Sequence, residues 1–208
     1  IVFNRGWGSI DFLTLTWYKG YIMRIPSIIF KTRVGDLAEN GECTFENGKW
    51  VDITTESLFN NKKVVLFSLP GAFTPTCTSQ QLPGFENNYK AFKLQGIDEI
   101  YCCSVNDSYV MNAWAHASDV KNVKMIPDGN GELTKALDML ISKEAIGFGY
   151  RSWRYAAVIN DGEIEKMFVE PGRDINDPSD PYGNSSPEMV LSYLQTQEIK
   201  RSVWGLTS

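Results

Sequence analysis

Apolar positions along the chain change period several times, and each change marks an element. Lys63-Val64-Val65-Leu66-Phe67-Ser68-Leu69 is an almost unbroken apolar run between Lys-Lys and Pro-Gly, the pattern of a strand buried on both faces of a parallel or mixed sheet. Glu99-Ile100-Tyr101-Cys102-Cys103-Ser104-Val105 repeats it and stops at Asn106-Asp107. Between the two, from about Cys77 to Gln95, the spacing turns helical, with Leu82, Phe85, Tyr89 and Phe92 on one face. Pro83 predicts a kink in that segment and Gly96 its end. Upstream, Ile25 to Arg33 alternates weakly and predicts a first strand, followed by a loop with Gly35, Gly41 and Gly48 as turn residues. Trp50 to Ile53 predicts a short strand paired across the Asn47-Gly48 turn. Thr54 or Thr55 is placed to cap a short helix carrying Leu58 and Phe59.

Downstream, Ser108 is the expected cap of a helix with Val110, Met111 and Trp114 on one face. Lys124-Met125-Ile126 reads as a third strand, Asp128-Gly129-Asn130-Gly131 as a turn, and Glu132 to Leu140 as a short helix. Arg154 to Ile159 and Glu163 to Val169 form a hairpin across Asn160-Asp161-Gly162, and a terminal helix begins near Pro187. Strand and helix alternating around buried strands predict the α/β class. The closing hairpin, and a cysteine after the first long strand, point within it to a thioredoxin-like fold. That is a central mixed sheet flanked by helices, here with β additions at the N-terminus. The chain divides into residues 1–22, an extension of unknown role, a domain over 23–200 and a tail over 201–208. Pro171 to Pro187, rich in Asp, Pro, Gly and Ser, predicts a long loop, and long loops in compact domains tend to be functional or mobile.

Composition narrows the chemistry. A chain of 208 residues, 43% hydrophobic and 22% charged, suits one domain able to bury a core without disulfide staples. A net charge of −5 with scattered basic residues argues against nucleic acid as a partner. Lys62-Lys63 and Lys200-Arg201 read as solvated pairs. Four cysteines (Cys43, Cys77, Cys102, Cys103) without a C-x-x-C pair, and a single histidine, His116, predict reduced thiols in a cytoplasmic protein with no metal and no bound cofactor. No apolar run approaches the ~18 residues of a membrane helix. Residues 1–22 lack the charged start and cleavage site of a secretory signal, and Met23 is a candidate initiator. His116 reads as a surface or capping residue, and Phe73, Trp114 and Trp153 as core.

Cys77 stands apart from the other thiols. It follows a strand ending in Pro70-Gly71 and falls in the first turn of a helix. Unpaired N–H groups and the positive end of the helix dipole favour an anion there, and the thiolate is the nucleophilic form of cysteine. Thr74, three residues earlier, can set a hydroxyl beside the sulfur. Pro70 removes a backbone donor and shields the site, and Arg154, far along the chain, can supply a fixed cation. Two functions stay open on this evidence: a thiol peroxidase, and a redox sensor or binding module whose cysteine is oxidised without turnover. A disulfide oxidoreductase is disfavoured, because Cys77 has no partner two or three residues away.

The full stretch Phe67-Ser68-Leu69-Pro70-Gly71-Ala72-Phe73-Thr74-Pro75-Thr76-Cys77 resembles the peroxiredoxins, in particular their type II subfamily and the peroxidase half of bacterial peroxiredoxin–glutaredoxin hybrids. The resemblance continues through Ser104-Val105-Asn106-Asp107, Met111-Asn112-Ala113-Trp114, Pro127 to Gly131 and Gly147 to Tyr155, and covers about residues 24 to 196. It implies that Cys77 attacks the peroxide and becomes a sulfenic acid. It further implies that Thr74 and Arg154 bind the peroxide oxygens, Pro70 limits solvent, and Arg154 rather than Arg151 is the family's arginine. Recycling by glutathione and glutaredoxin, or by thioredoxin, is implied too. Members with a resolving cysteine near the last helix have it where Ser185-Ser186 stand here, which excludes that variant. Cys102 matches the second cysteine of plant-type members and is the candidate resolving residue, whereas the hybrids lack it. A homodimer with Phe73 near its interface follows from the same resemblance.

Overall fold

The computed structural model describes residues 23–34 and 49–204. The expected extension 1–22, the glycines at 35, 41 and 48, Cys43 and the Asn47-Gly48 turn lie outside the described residues. Five strands form the central sheet: β3 (Lys63–Ser68), β4 (Glu99–Ser104), β5 (Lys124–Pro127), β8 (Tyr155–Asn160) and β9 (Glu163–Val169). Their order across the sheet is β5-β4-β3-β8-β9. Strands β3, β4 and β5 run parallel, while β8 is antiparallel to both β3 and β9. This is the mixed, thioredoxin-like sheet expected of the sequence.

β3 shows why the apolar run had to be central. Val65, Phe67 and Leu69 enter one core cluster, and Val64 and Leu66 enter another on the opposite face. Side chains alternate faces along a strand, so only a strand covered on both sides is apolar at every position. Helices α2 (Leu82–Asn87), α3 (Tyr89–Leu94), α4 (Ser108–Ala117) and α6 (Pro187–Trp204) supply the first cover. Phe67 and Phe85 stack there with centroids 4.1 Å apart. The second face lies under α1 (Thr55–Phe59), α5 (Glu132–Ala136) and a hairpin of β1 (Ile29–Val34) with β2 (Lys49–Thr54). No helix among the described residues is long and apolar enough to cross a membrane.

Several expectations are corrected. Among the described residues β2 pairs with β1, Thr32 opposite Val51, while the pairing expected across Asn47-Gly48 lies outside them. The strand expected from Ile25 is split. Ile25 N–H bonds Gly162 O and Met23 O accepts from Ile164 N–H, which attaches 23–25 to the edge of β9. Pro26, lacking an N–H, cannot continue such a ladder. Asp107, not Ser108, caps α4 by accepting from Val110 N–H. Pro83 sits in the first turn of α2, and a π-type turn over Cys77–Gln81 precedes it, so the expected kink is a change of helical register. α5 ends at Ala136, because Asp138 adopts a left-handed backbone; Leu140–Ser142 (β6) instead pairs with Tyr150–Ser152 (β7). The last helix runs to Trp204, into the stretch expected as a tail.

Candidate active site

The loop after β3 is built to present the first helical turn. Pro70 and Gly71 are buried, and Phe73 takes a φ of +63°, which turns the chain before helical backbone starts at Pro75. A proline at the first helical position loses nothing, since its N–H would have no intrahelical acceptor. Thr78 N–H closes the first turn on Thr74 O at 3.0 Å. Two side chains pin this segment from outside. Asn106 Oδ1 accepts from Ala72 N–H (3.0 Å) and from Ser104 Oγ (2.8 Å), and Trp114 Nε1 donates to Thr78 Oγ1 (3.1 Å). Cys77 thus stands in the first turn, as expected, and has no exposed surface.

Arg154, the residue before β8, reaches it from beside the neighbouring strand of the sheet. Only 1% of the residue is exposed, and its Nη1 donates to Cys77 Sγ at 3.4 Å. The same nitrogen donates to Gln81 Oε1, Nη2 pairs with Asp180, and Nε donates to Pro181 O at 3.1 Å. Burial works against the guanidinium charge, but a thiolate at Cys77 and the Asp180 carboxylate outweigh it, and the pKa of Arg154 is raised overall. A buried cation needs such partners, since an unpaired one would be far costlier than the pair.

Asp180 and Pro181 belong to the predicted long loop, which is tied down by one buried carboxylate. Glu170 Oε1 accepts from Gly183 N–H (2.8 Å), Ser185 N–H (2.7 Å) and Ser185 Oγ (2.7 Å), while Glu170 O accepts from Trp153 Nε1 (2.8 Å). Gln81, Asp180 and Glu170 were not found by sequence reasoning. Only Glu170 carried a sign in the sequence: an acid between the apolar Met167-Phe168-Val169 and Pro171.

Pro70 and Thr74 border a cavity of about 140 Å³, lined also by Gly71, Ala72, Asn106, Phe148 and Arg151. Neither Cys77 nor Arg154 is among the residues that line it. The Thr74 hydroxyl donates to Gly71 O (2.8 Å), not to the sulfur beside which the sequence set it. Phe73 is a second correction: at 55% exposure it is no core residue, unlike Trp114 and Trp153, which are buried. His116 is exposed in the last turn of α4.

Cys102 and Cys103 are also wholly buried, on opposite faces of β4. Cys102 shares the cluster of Cys77; Cys103 faces the other side. Burial pushes both thiols well above the ordinary range, with the Cys77 charge adding to the effect at Cys102 and Asp128 adding to it at Cys103.

A family profile described as Redoxin matches residues 33–181. A peroxiredoxin of Rhizobium etli is 52% identical over 172 residues, covering 83% of this chain and 94% of that protein. The hybrid peroxiredoxin hyPrx5 of Haemophilus influenzae is 46% identical over 181 residues, covering 86% of this chain and 68% of its own length. Among solved structures, the antioxidant protein of Plasmodium falciparum, a 1-Cys peroxiredoxin, superposes with a TM-score of 0.76 at 38% identity, over 84% of this chain and 98% of that one.

Proposed function

The chain belongs to the peroxiredoxin family and is a thiol peroxidase, and we propose that Cys77 is its nucleophile, acting with Arg154, Thr74 and Pro70 on hydrogen peroxide and alkyl hydroperoxides. One observation carries the assignment: in an apolar cluster, the sulfur of Cys77 faces a guanidinium at 3.4 Å. The Cys77 thiolate attacks the distal peroxide oxygen; an S–O bond forms, the O–O bond breaks, and the leaving oxygen departs as water or alcohol after taking a proton. Negative charge passes from sulfur to the leaving oxygen, and a guanidinium already fixed beside the sulfur stabilises it without reorganising. The Thr74 hydroxyl turns from Gly71 O to the incoming peroxide, and Pro70 keeps bulk water from the sulfenic acid.

The sulfenic acid is then reduced by glutathione, with release of water and a mixed disulfide at Cys77, which glutaredoxin resolves. The likeness to a hybrid peroxiredoxin supports this route over thioredoxin. Cys102 offers a second route, favoured by its place in the same cluster as Cys77; a Cys77–Cys102 disulfide would require the first helical turn to unwind. Exposed Phe73, held in left-handed backbone beside the site, supports a homodimer that covers it.

Two measurements test the reading. Cys77→Ser should lower single-turnover peroxide reduction by at least about a thousandfold; retained turnover would refute the assignment. Mass spectrometry after one equivalent of peroxide with glutathione present should find a glutathione adduct on Cys77. A Cys77–Cys102 disulfide in its place would establish the internal route.

A further inference from the structure

Arg151 is not needed to hold Cys77, yet it is built into the cavity beside it. Its Nε donates to Phe148 O (3.0 Å) and its Nη1 to Val105 O (2.8 Å), and the guanidinium carbon lies 5.8 Å from the Phe148 ring centroid. Backbone carbonyls and a ring face orient a guanidinium without neutralising it. Of the five N–H donors of an arginine, these two bonds engage two. Among the described residues the rest have no protein acceptor, and no carboxylate pairs with Arg151. Arg154, by contrast, has Asp180.

The cavity is equally without acids. Its lining is Pro70, Gly71, Ala72, Thr74, Asn106, Phe148 and Arg151, so the one full charge on it is positive. Arg151 is also close to the reacting residues. A Cβ on Gly71 would stand 3.4 Å from Thr74 Cγ2 and 3.9 Å from Arg151 Nη1, so a single carbon would bridge them. A half-buried arginine with open donors and no counter-ion matches the planar, bidentate geometry of a carboxylate.

From this we infer that the Arg151 cavity binds the carboxylate of a molecule that reacts at Cys77. The inference rests on Cys77 being the reacting thiol. Two reactants could bring that group, an acidic organic hydroperoxide in the oxidation step or glutathione in the reduction step, and both present the same chemistry to Arg151.

Each step is tested with an acid and its ester. In the first arm, oxidation of the reduced protein is timed with para-carboxy cumene hydroperoxide and with its methyl ester. In the second, the peroxide-oxidised protein is reduced with glutathione and with its glycine ethyl ester. The wild type should react about tenfold faster with the acid in at least one arm, the scale of a charge-assisted hydrogen bond, and that arm identifies the source of the carboxylate. Arg151→Gln should remove the preference and Arg151→Lys should keep part of it. Equal rates for acid and ester in both arms of the wild type, or a preference that survives Arg151→Gln, would overturn the inference. If hydrogen peroxide itself were not reduced, the reading of Cys77 would fail instead, so the two failures are distinguishable.

Discussion

Cys77 and Cys103 are both cysteines with no exposed surface, yet their surroundings oppose each other. Cys103 is set in mid-strand among apolar side chains, and its burial favours the neutral thiol. Cys77 sits in a helical first turn with a guanidinium at its sulfur, and that cation is itself pinned by Gln81, Asp180 and Pro181. Burial alone therefore does not distinguish the two. What separates them is a charge fixed within reach of one sulfur, an interaction that low polarity strengthens.

The sharpest way to break the contrast is to remove the shape of the cation. Arg154→Lys keeps the charge but not the fork that reaches Cys77, Gln81 and Asp180 together, and should slow single-turnover peroxide reduction about a hundredfold by stopped-flow. A rate near wild type would take Arg154 out of the chemistry. Asp180→Asn comes next. It leaves Arg154 buried but loosened, and because Asp180 is 40% exposed its charge is partly screened. The expected loss is up to about tenfold, with part of it restored by Asp180→Glu.

The smallest effect is on stability at the Cys103 side. Cys103 is raised in the folded state above an unfolded thiol pKa of about 8.5. A raised folded pKa stabilises below the unfolded value, and the contribution is lost as pH climbs above it. Unfolding free energies from urea titrations should therefore fall above about pH 8.5, by about 1.4 kcal/mol per pH unit for each such thiol. Cys103→Ala should flatten this slope, at a cost of about 1 kcal/mol at neutral pH for the cavity. An unchanged slope would contradict the buried-thiol reading.

Much of the molecule was legible because it is written in local periods. The apolar run at Lys63–Leu69, the helical spacing after Cys77 and the Asn160-Asp161-Gly162 turn each carry their structure in neighbouring residues. The misses share a different cause. β6 and β7 are three residues each, too short to show a period, and the cap at Asp107 competes with an equally plausible Ser108. Phe73 looked like core because composition does not report that a φ of +63° points the residue outward.

The sequence by itself determined the order of elements, the two-sided burial of the central strands, and the placing of one cysteine at a helix start. Those follow from backbone geometry and the spacing of apolar side chains. Only the tertiary structure decided which groups meet at the sulfur. Arg154 joins Gln81 across 73 residues and Asp180 across 26, and Glu170 holds the loop that makes the second contact possible. Such pairings depend on a buried charge finding every partner it requires. Nothing in a local pattern records that demand, so two arginines three residues apart, one sealed against Cys77 and one open to a cavity, look alike until the chain is folded.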